Sequence, residues 1–278
     1  MPEQTLTDHS VDFDRTDDSL AEQLHDIAQT TLHKHPVAWT DHHGGHWIVS
    51  DYNMIHEILR TPEIFSSSSV NIPGPVGAGD KLVPLELDGE EHRLYRDLLL
   101  PLFSPRRMAE LEPKIADLSR SLIAEATKSN SVEVVDTLAM PLPVTMFLSL
   151  MGWPLEDRDK LTGWVTTILG GASGMEPEQY HKAIAEAGAQ VAEYFTQLID
   201  DRRKHASKND YTTTVLAGRL PDGTEIPPQR MLDMLMLLMQ AGLDTVKSAL
   251  SFALLRLATR PDMQKALAED PSLIPEAV

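Results

Sequence analysis

In the middle of an apolar run, Ala241-Gly242-Leu243-Asp244-Thr245 sets a glycine, a carboxylate and a hydroxyl side by side. A carboxylate can hold and release a proton, a hydroxyl can pass one on, and a residue without a Cβ lets another group approach the backbone. The surrounding stretch, 231–257, carries Leu232, Leu235, Leu237, Leu238, Leu243, Val246, Leu250, Phe252 and Leu254 on nearly every helical face. It therefore reads as a helix buried all round, roughly 40 Å long at 1.5 Å per residue. Two readings of the polar break compete. In one, Gly242 is a helix-contact glycine and Thr245 bonds back to a carbonyl of its own helix. In the other, a ligand lies across the helix, with Thr245 offering a hydroxyl and Asp244 a proton.

A second pair of residues could do chemistry further upstream. His92 and Arg96 are four residues apart on a helix that starts at Asp88-Gly-Glu-Glu91, with Asp88 as the expected cap. They form either part of a solvated charged face or two donors aimed at one anion such as a carboxylate. His42, His43 and His46 flank a Gly-Gly turn with no carboxylate or cysteine at ligand spacing. They read as solvent-exposed turn residues, and no metal site is expected.

Composition narrows the classes. The chain has 278 residues, 42% hydrophobic, and a formal net charge of −18. That charge repels nucleic acid and anionic membranes, so neither is expected as the main partner. There is no cysteine, hence no disulfide and no thiolate ligand within these residues. Asp233, Gln240, Asp244 and Lys247 interrupt the long apolar run too often for a membrane span. The polar, acidic N-terminus carries no apolar leader, so a soluble cytoplasmic protein is expected.

The elements that must position these residues follow from periodicity. Residues 1–17 are polar and expected to be disordered, and 18–278 to form a single domain. A helix is expected over 19–31, then a hairpin through 36–50 turning at Gly44-Gly45, then a helix over 51–60 capped by Ser50 with Ile55 and Leu59 on its buried side. The stretch 61–81, rich in Ser, Gly and Pro with few apolar anchors, is a long loop, which in a compact domain is usually either functional or disordered. Phe103-Ser104-Pro105 ends one helix and begins another, with Leu111, Ile115, Leu118 and Leu122 as its stripe. A short strand is expected over 132–135, helices over 143–151 and 155–169, a flexible break at 170–174, and a long amphipathic helix over 177–204. Asp222-Gly223 is a turn before the central helix, and 260–269 is a further helix.

These landmarks, in this order, resemble the cytochrome P450 family, most of all its soluble bacterial, camphor-hydroxylase type. The carrying features are Trp47-Ile-Val-Ser-Asp51 with the helix after it, the H-x-x-x-R pair His92 and Arg96, Phe103-Ser-Pro105, and Ala241-Gly-Leu-Asp-Thr245. The resemblance implies a mainly α fold with a small β-sheet region. It implies haem b as cofactor, His92 and Arg96 on its propionates, and Ala241 and Gly242 letting the helix pass close over it. Thr245 and Asp244 would relay protons in dioxygen activation, and Leu237, Gln240 and Val246 would face a small, mostly apolar substrate that is hydroxylated. The 66–84 loop would cover the pocket.

Gln240 departs from the aliphatic residue of the pattern, which points to a hydrogen-bonding group on the substrate. The family's downstream Glu-x-x-Arg helix and cysteine loop have no counterpart in these residues. The fold is therefore expected to be incomplete at its C-terminus, and the chain inactive by itself. The resemblance implies electron supply by an acidic iron–sulfur ferredoxin and a flavin reductase, with Arg93, Arg96, Arg106 and Arg107 as a docking patch. The competing readings are a non-catalytic helical binding protein derived from a degenerate monooxygenase, and a helical protein unrelated to haem.

Overall fold

The computed structural model describes residues 9–14, 17–70, 81–169, 175–205 and 210–277. It is mainly helical, with one two-stranded antiparallel sheet. In chain order, a helical segment runs through a 3-10 turn, Asp18–Gln23, the short α1, Leu24–Ile27, and a π turn, Ala28–Leu32. Strands β1, Val37–Thr40, and β2, His46–Val49, follow, then α2, Tyr52–Arg60, α3, Gly89–Leu99, α4, Pro105–Ala109, α5, Glu112–Ala126, and α6, Pro141–Met151. After these come α7, Arg158–Leu169, α8, Pro177–Lys204, α9, Tyr211–Leu216, α10, Pro228–Thr259, α11, Pro261–Glu269, and α12, Ile274–Ala277.

The chain divides into two compact units. One is Met1–Asp97 with Thr167–Gln197 and Leu220–Met234; the other is Leu98–Thr166 with Leu198–Arg219 and Leu235–Val278. In the first, Ala38, Val83, Leu87, Tyr95, Val191, Phe195, Ile226 and Met234 are buried. Its hairpin pairs Val37 with Val49 and Trp39 with Trp47, whose rings meet edge-on at 5.2 Å. Part of the stretch expected to be disordered continues this sheet: Val11 N–H donates to Trp39 O at 2.8 Å, and Trp39 N–H to His9 O at 2.8 Å. Residues 1–8, 15 and 16, with 170–174, lie outside the described residues.

In the second unit, buried polar pairs fix the loops. Tyr211 OH donates to Leu102 O at 2.5 Å, Trp153 Nε1–H to Thr212 Oγ1 at 2.9 Å, and Thr212 Oγ1 to Met151 O at 2.6 Å. Gly152 closes α6 in the left-handed region at φ 69°, and a Cβ there would overlap the Asp210 side chain. Asp210 caps α9 through Thr213 N–H and faces Arg202 at 3.4 Å.

Several local expectations are corrected. Asp51, not Ser50, caps α2, accepting from Met54 N–H at 2.9 Å, while Ser50 Oγ donates to Leu32 O. Leu59 is 76% exposed, so the apolar side of α2 is not a buried side in this structure. Residues 132–135 form no strand, because Glu133 accepts from Asp136 N–H and starts the π turn Val135–Ala139. The helix expected from Pro105 is broken, since α4 ends at Ala109 and α5 starts afresh with Pro113 in its first turn.

The histidines of the hairpin turn are not mere punctuation. Carboxylates from the N-terminal stretch reach them: His42 Nε2 is 2.7 Å from Asp12 Oδ1, and His43 Nε2 is 2.7 Å from Asp14 Oδ1. Among the described residues no cluster of His, Asp and Glu is arranged to hold a metal ion.

The hydrogen bond to Asp12, with Asp14 and Asp41 nearby, raises the His42 pKa above its ordinary value. A raised histidine pKa makes this pairing fully present below the ordinary histidine range and lost as pH rises through the raised value. The amides of Val11 and Trp39 should thus lose hydrogen-exchange protection, after correction for intrinsic rates, as pH rises from below the ordinary histidine range to above it. The dependence should flatten in Asp12→Asn; an unchanged profile there would assign it elsewhere.

Candidate active site

Helix α10 exists because Leu, Met and Ala dominate it and no proline follows Pro228. From Met231 to Leu243 it is largely buried. Beyond Leu243 the expectation of burial all round fails, for Val246 is 50% and Phe252 72% exposed.

Its N-terminal turns are fixed by charge. Asp233 is fully buried and accepts from Gln229 Nε2 at 2.9 Å, and Arg230 spans from Asp233, at 3.7 Å, to Glu91 of α3, at 3.0 Å. Tyr95 is buried beside this network, and burial pushes its phenol pKa up while the Arg230 charge pulls it down. Glu91 and Tyr95 form one stripe of α3. His92 and Arg96 form the next, one residue or about 100° further round. Arg96 is exposed and His92 half-buried, and neither side chain has a hydrogen-bond partner among the described residues.

Two carboxylates hold what is described of the 66–84 loop. Glu86, 5% exposed, accepts from Val70 N–H at 3.2 Å and Leu82 N–H at 2.8 Å, clasping both ends around 71–80, which lie outside the described residues. Asp88 does not turn its carboxylate into α3. It accepts from Ser66 Oγ and from Ser67 N–H, and those bonds lower its pKa.

The residues of the polar break take the local partners of the first reading. Thr245 Oγ1 donates to Ala241 O at 2.7 Å. Asp244 faces Lys247 at 2.6 Å. A Cβ on Gly242 would overlap the ring of Phe147 from α6, so the close approach that glycine permits is a helix contact. Ala241 and Thr245, one turn apart, are both exposed. Leu237 is half-buried and Gln240 buried. Val246, six residues after Gln240 and so about 240° round the helix, does not share their face.

His92 and Arg96 belong to the first compact unit, and Gln240 through Val246 to the second. Sequence reasoning did not find Phe147, Glu86, Lys247 or Arg230. The signals for Glu86 and Lys247 were a lone carboxylate in Leu85-Glu-Leu87 and a cation three residues after Asp244; Phe147 and Arg230 act through contacts distant in sequence.

The comparisons agree with this architecture. The family model described as Cytochrome P450 matches residues 173–274. The erythromycin C-12 hydroxylase of Saccharopolyspora erythraea is 30% identical over 257 residues, covering 92% of this chain and 63% of that protein. The vitamin D(3) 25-hydroxylase of Pseudonocardia autotrophica is 28% identical over 237 residues, covering 84% and 57%. The crystal structure of CYP101J2 superposes with a TM-score of 0.78 at 27% identity, covering 99% of this chain and 67% of that one. The helical fold, the H-x-x-x-R helix and the Ala-Gly-Leu-Asp-Thr helix define one class of protein. This chain belongs to the cytochrome P450 family. It spans 58%, 53% and 57% of the length of three of the curated relatives it matches.

The residues present fit part of a haem site. The side chains of His92 and Arg96, on one stripe of α3, have no hydrogen-bond partner among the described residues, as free propionate anchors require; on α10, Ala241 is exposed. An axial thiolate is not among these residues, since the chain has no cysteine.

Gly242→Ala should destabilise the chain by about 1–3 kcal/mol through overpacking against Phe147, although alanine ordinarily favours a helix interior by about 1 kcal/mol. In a Phe147→Leu background the sign should reverse. Chemical denaturation of the four proteins checks both, and a stabilising Gly242→Ala in the native background would remove the close contact.

Proposed function

We propose that this chain carries the propionate-anchoring helix and the oxygen-activation helix of a haem-thiolate monooxygenase. The enzyme inserts one oxygen atom of dioxygen into a small, mostly apolar organic substrate. The observation that carries this reading is the His92–Arg96 stripe of α3, whose side chains have no hydrogen-bond partner among the described residues, within a chain of this family. Haem b, when bound, supplies the iron centre at which dioxygen is activated.

The chain's own residues do the rest. His92 and Arg96 each donate to a propionate, which orients the ring and neutralises its charge. Ala241 keeps the helix surface low where the ring passes, while Gly242 makes room for Phe147. Thr245 holds its proton on Ala241 O and can rotate the hydroxyl toward a ligand without breaking the helix. Asp244, held by Lys247, is the adjacent proton store. Leu237 and Gln240 face substrate, Val246 lies on another face of α10, and Glu86 holds the described ends of the 66–84 loop, whose centre, 71–80, lies outside the described residues.

Electrons come from an acidic iron–sulfur ferredoxin reduced by a flavin enzyme, in the cytoplasm. Arg93 on α3 and Arg106 and Arg107 on α4 are exposed cations available to it. Among the described residues no helix is long and apolar enough to cross a membrane, which is consistent with that location.

Protoporphyrin IX, which has two propionates and no metal, tests the anchor apart from any axial ligand. His92→Ala and Arg96→Ala should each weaken its binding by about 10-fold or more, the scale of a charged hydrogen bond of about 1.5–3 kcal/mol. Equal affinity of wild type and double variant, read by porphyrin fluorescence, would remove the propionate role. With hemin and carbon monoxide, this chain alone should show no thiolate-type absorption band; such a band would mean sulfur ligation from a source other than these residues.

A further inference from the structure

Five polar or charged residues are buried among the described residues: Thr40, Glu86, Thr212, Asp233 and Gln240. Thr40 donates to Phe13 O, Glu86 accepts two backbone N–H groups, Thr212 bridges Met151 and Trp153, and Asp233 accepts from Gln229. Gln240 differs. It is 4% exposed, and its side-chain Nε2 has no acceptor among the described residues.

Buried amides in native proteins are nearly always bonded, because a desolvated donor without an acceptor is costly. The neighbouring buried positions of α10, Met236, Met239 and Leu243, are filled by apolar side chains, so the helix has no local need for a glutamine here. The residue also stands immediately before Ala241, at the start of the polar break, and one turn before Asp244.

We infer that Gln240 donates its Nε2–H to an acceptor oxygen of the substrate, so that the site takes compounds bearing a carbonyl or ether oxygen in preference to hydrocarbons of the same shape. This rests on the reading of α10 as the substrate-facing helix. In this orientation the unpartnered end of the amide is the donor, so the matching group on a ligand is an acceptor oxygen. A site with a bonding group of one polarity discriminates strongly against the analogue that leaves it unpaired.

The test is binding of 2-adamantanone and adamantane, one cage with and without a carbonyl, to the 278-residue chain by equilibrium dialysis. Wild type should prefer the ketone by about 10-fold or more, and Gln240→Leu should lose the preference while keeping its affinity for adamantane. Gln240→Met, closer in volume, should behave alike, and both variants should melt at a higher temperature than wild type without ligand, since the unpaired donor is gone. A ketone preference that survives in both variants overturns the inference and leaves the substrate-facing reading of α10 standing. Failure of all three proteins to bind either cage overturns that reading and the inference with it. A variant that melts lower than wild type shows that Gln240 is satisfied within the protein or by bound water, and also overturns it.

Discussion

A helix that is apolar on every face must be covered on every face, and α10 is the element to which this constraint applies most severely. Between Met231 and Leu243 the requirement is largely met, with Ala241 exposed and Leu232 and Leu237 half-buried. Removing a Leu or Met side chain from water contributes about 1.5–3 kcal/mol, so this stretch outweighs any single polar contact in the chain. It also explains why the polar residues within it are few and tied down. Asp233 can be fully buried only because Gln229 donates to it and Arg230 lies beside it. The same Arg230 reaches Glu91, so satisfying a buried charge on α10 also fixes the rotation of α3, and with it the direction in which His92 and Arg96 present their donors.

Most of the element boundaries were legible because they depend on local rules. The Gly-Gly turn, the αL glycine closing α6, Pro105 opening α4 and the range of α8 each rest on residues within a few positions of the boundary. What the sequence concealed was pairing over distance. Asp12 and Asp14 lie about thirty residues from the histidines they meet, and spacing within the turn carries no trace of them. Glu86 binds amides on both sides of a long loop. The strand expected at 132–135 failed because β-branched residues favour a sheet only where a partner strand exists, and here Glu133 offered the backbone a helical start instead.

The candidate site was legible as a set of residues but not as a set of contacts. Ala241 to Thr245 were found by the break they make in an apolar pattern. That break fits either a structural or a functional role, and in this structure the local partners are structural: Phe147 over Gly242, Ala241 O for Thr245, Lys247 for Asp244. The two roles do not exclude one another. A hydroxyl that bonds to its own helix costs little to turn outward, and a carboxylate paired with a partly exposed lysine remains reachable.

Stability therefore separates the residues that only build α10 from those that do more. Phe147 against Gly242 is a contact in which structure and sequence agree, since glycine is the residue that the ring permits. Gln240 is a position where they disagree: the environment calls for leucine or methionine, and a donor has been placed there without an acceptor. Departures of that kind persist where function compensates for a loss of stability. In α10 this one stands one residue before the motif that defines the family.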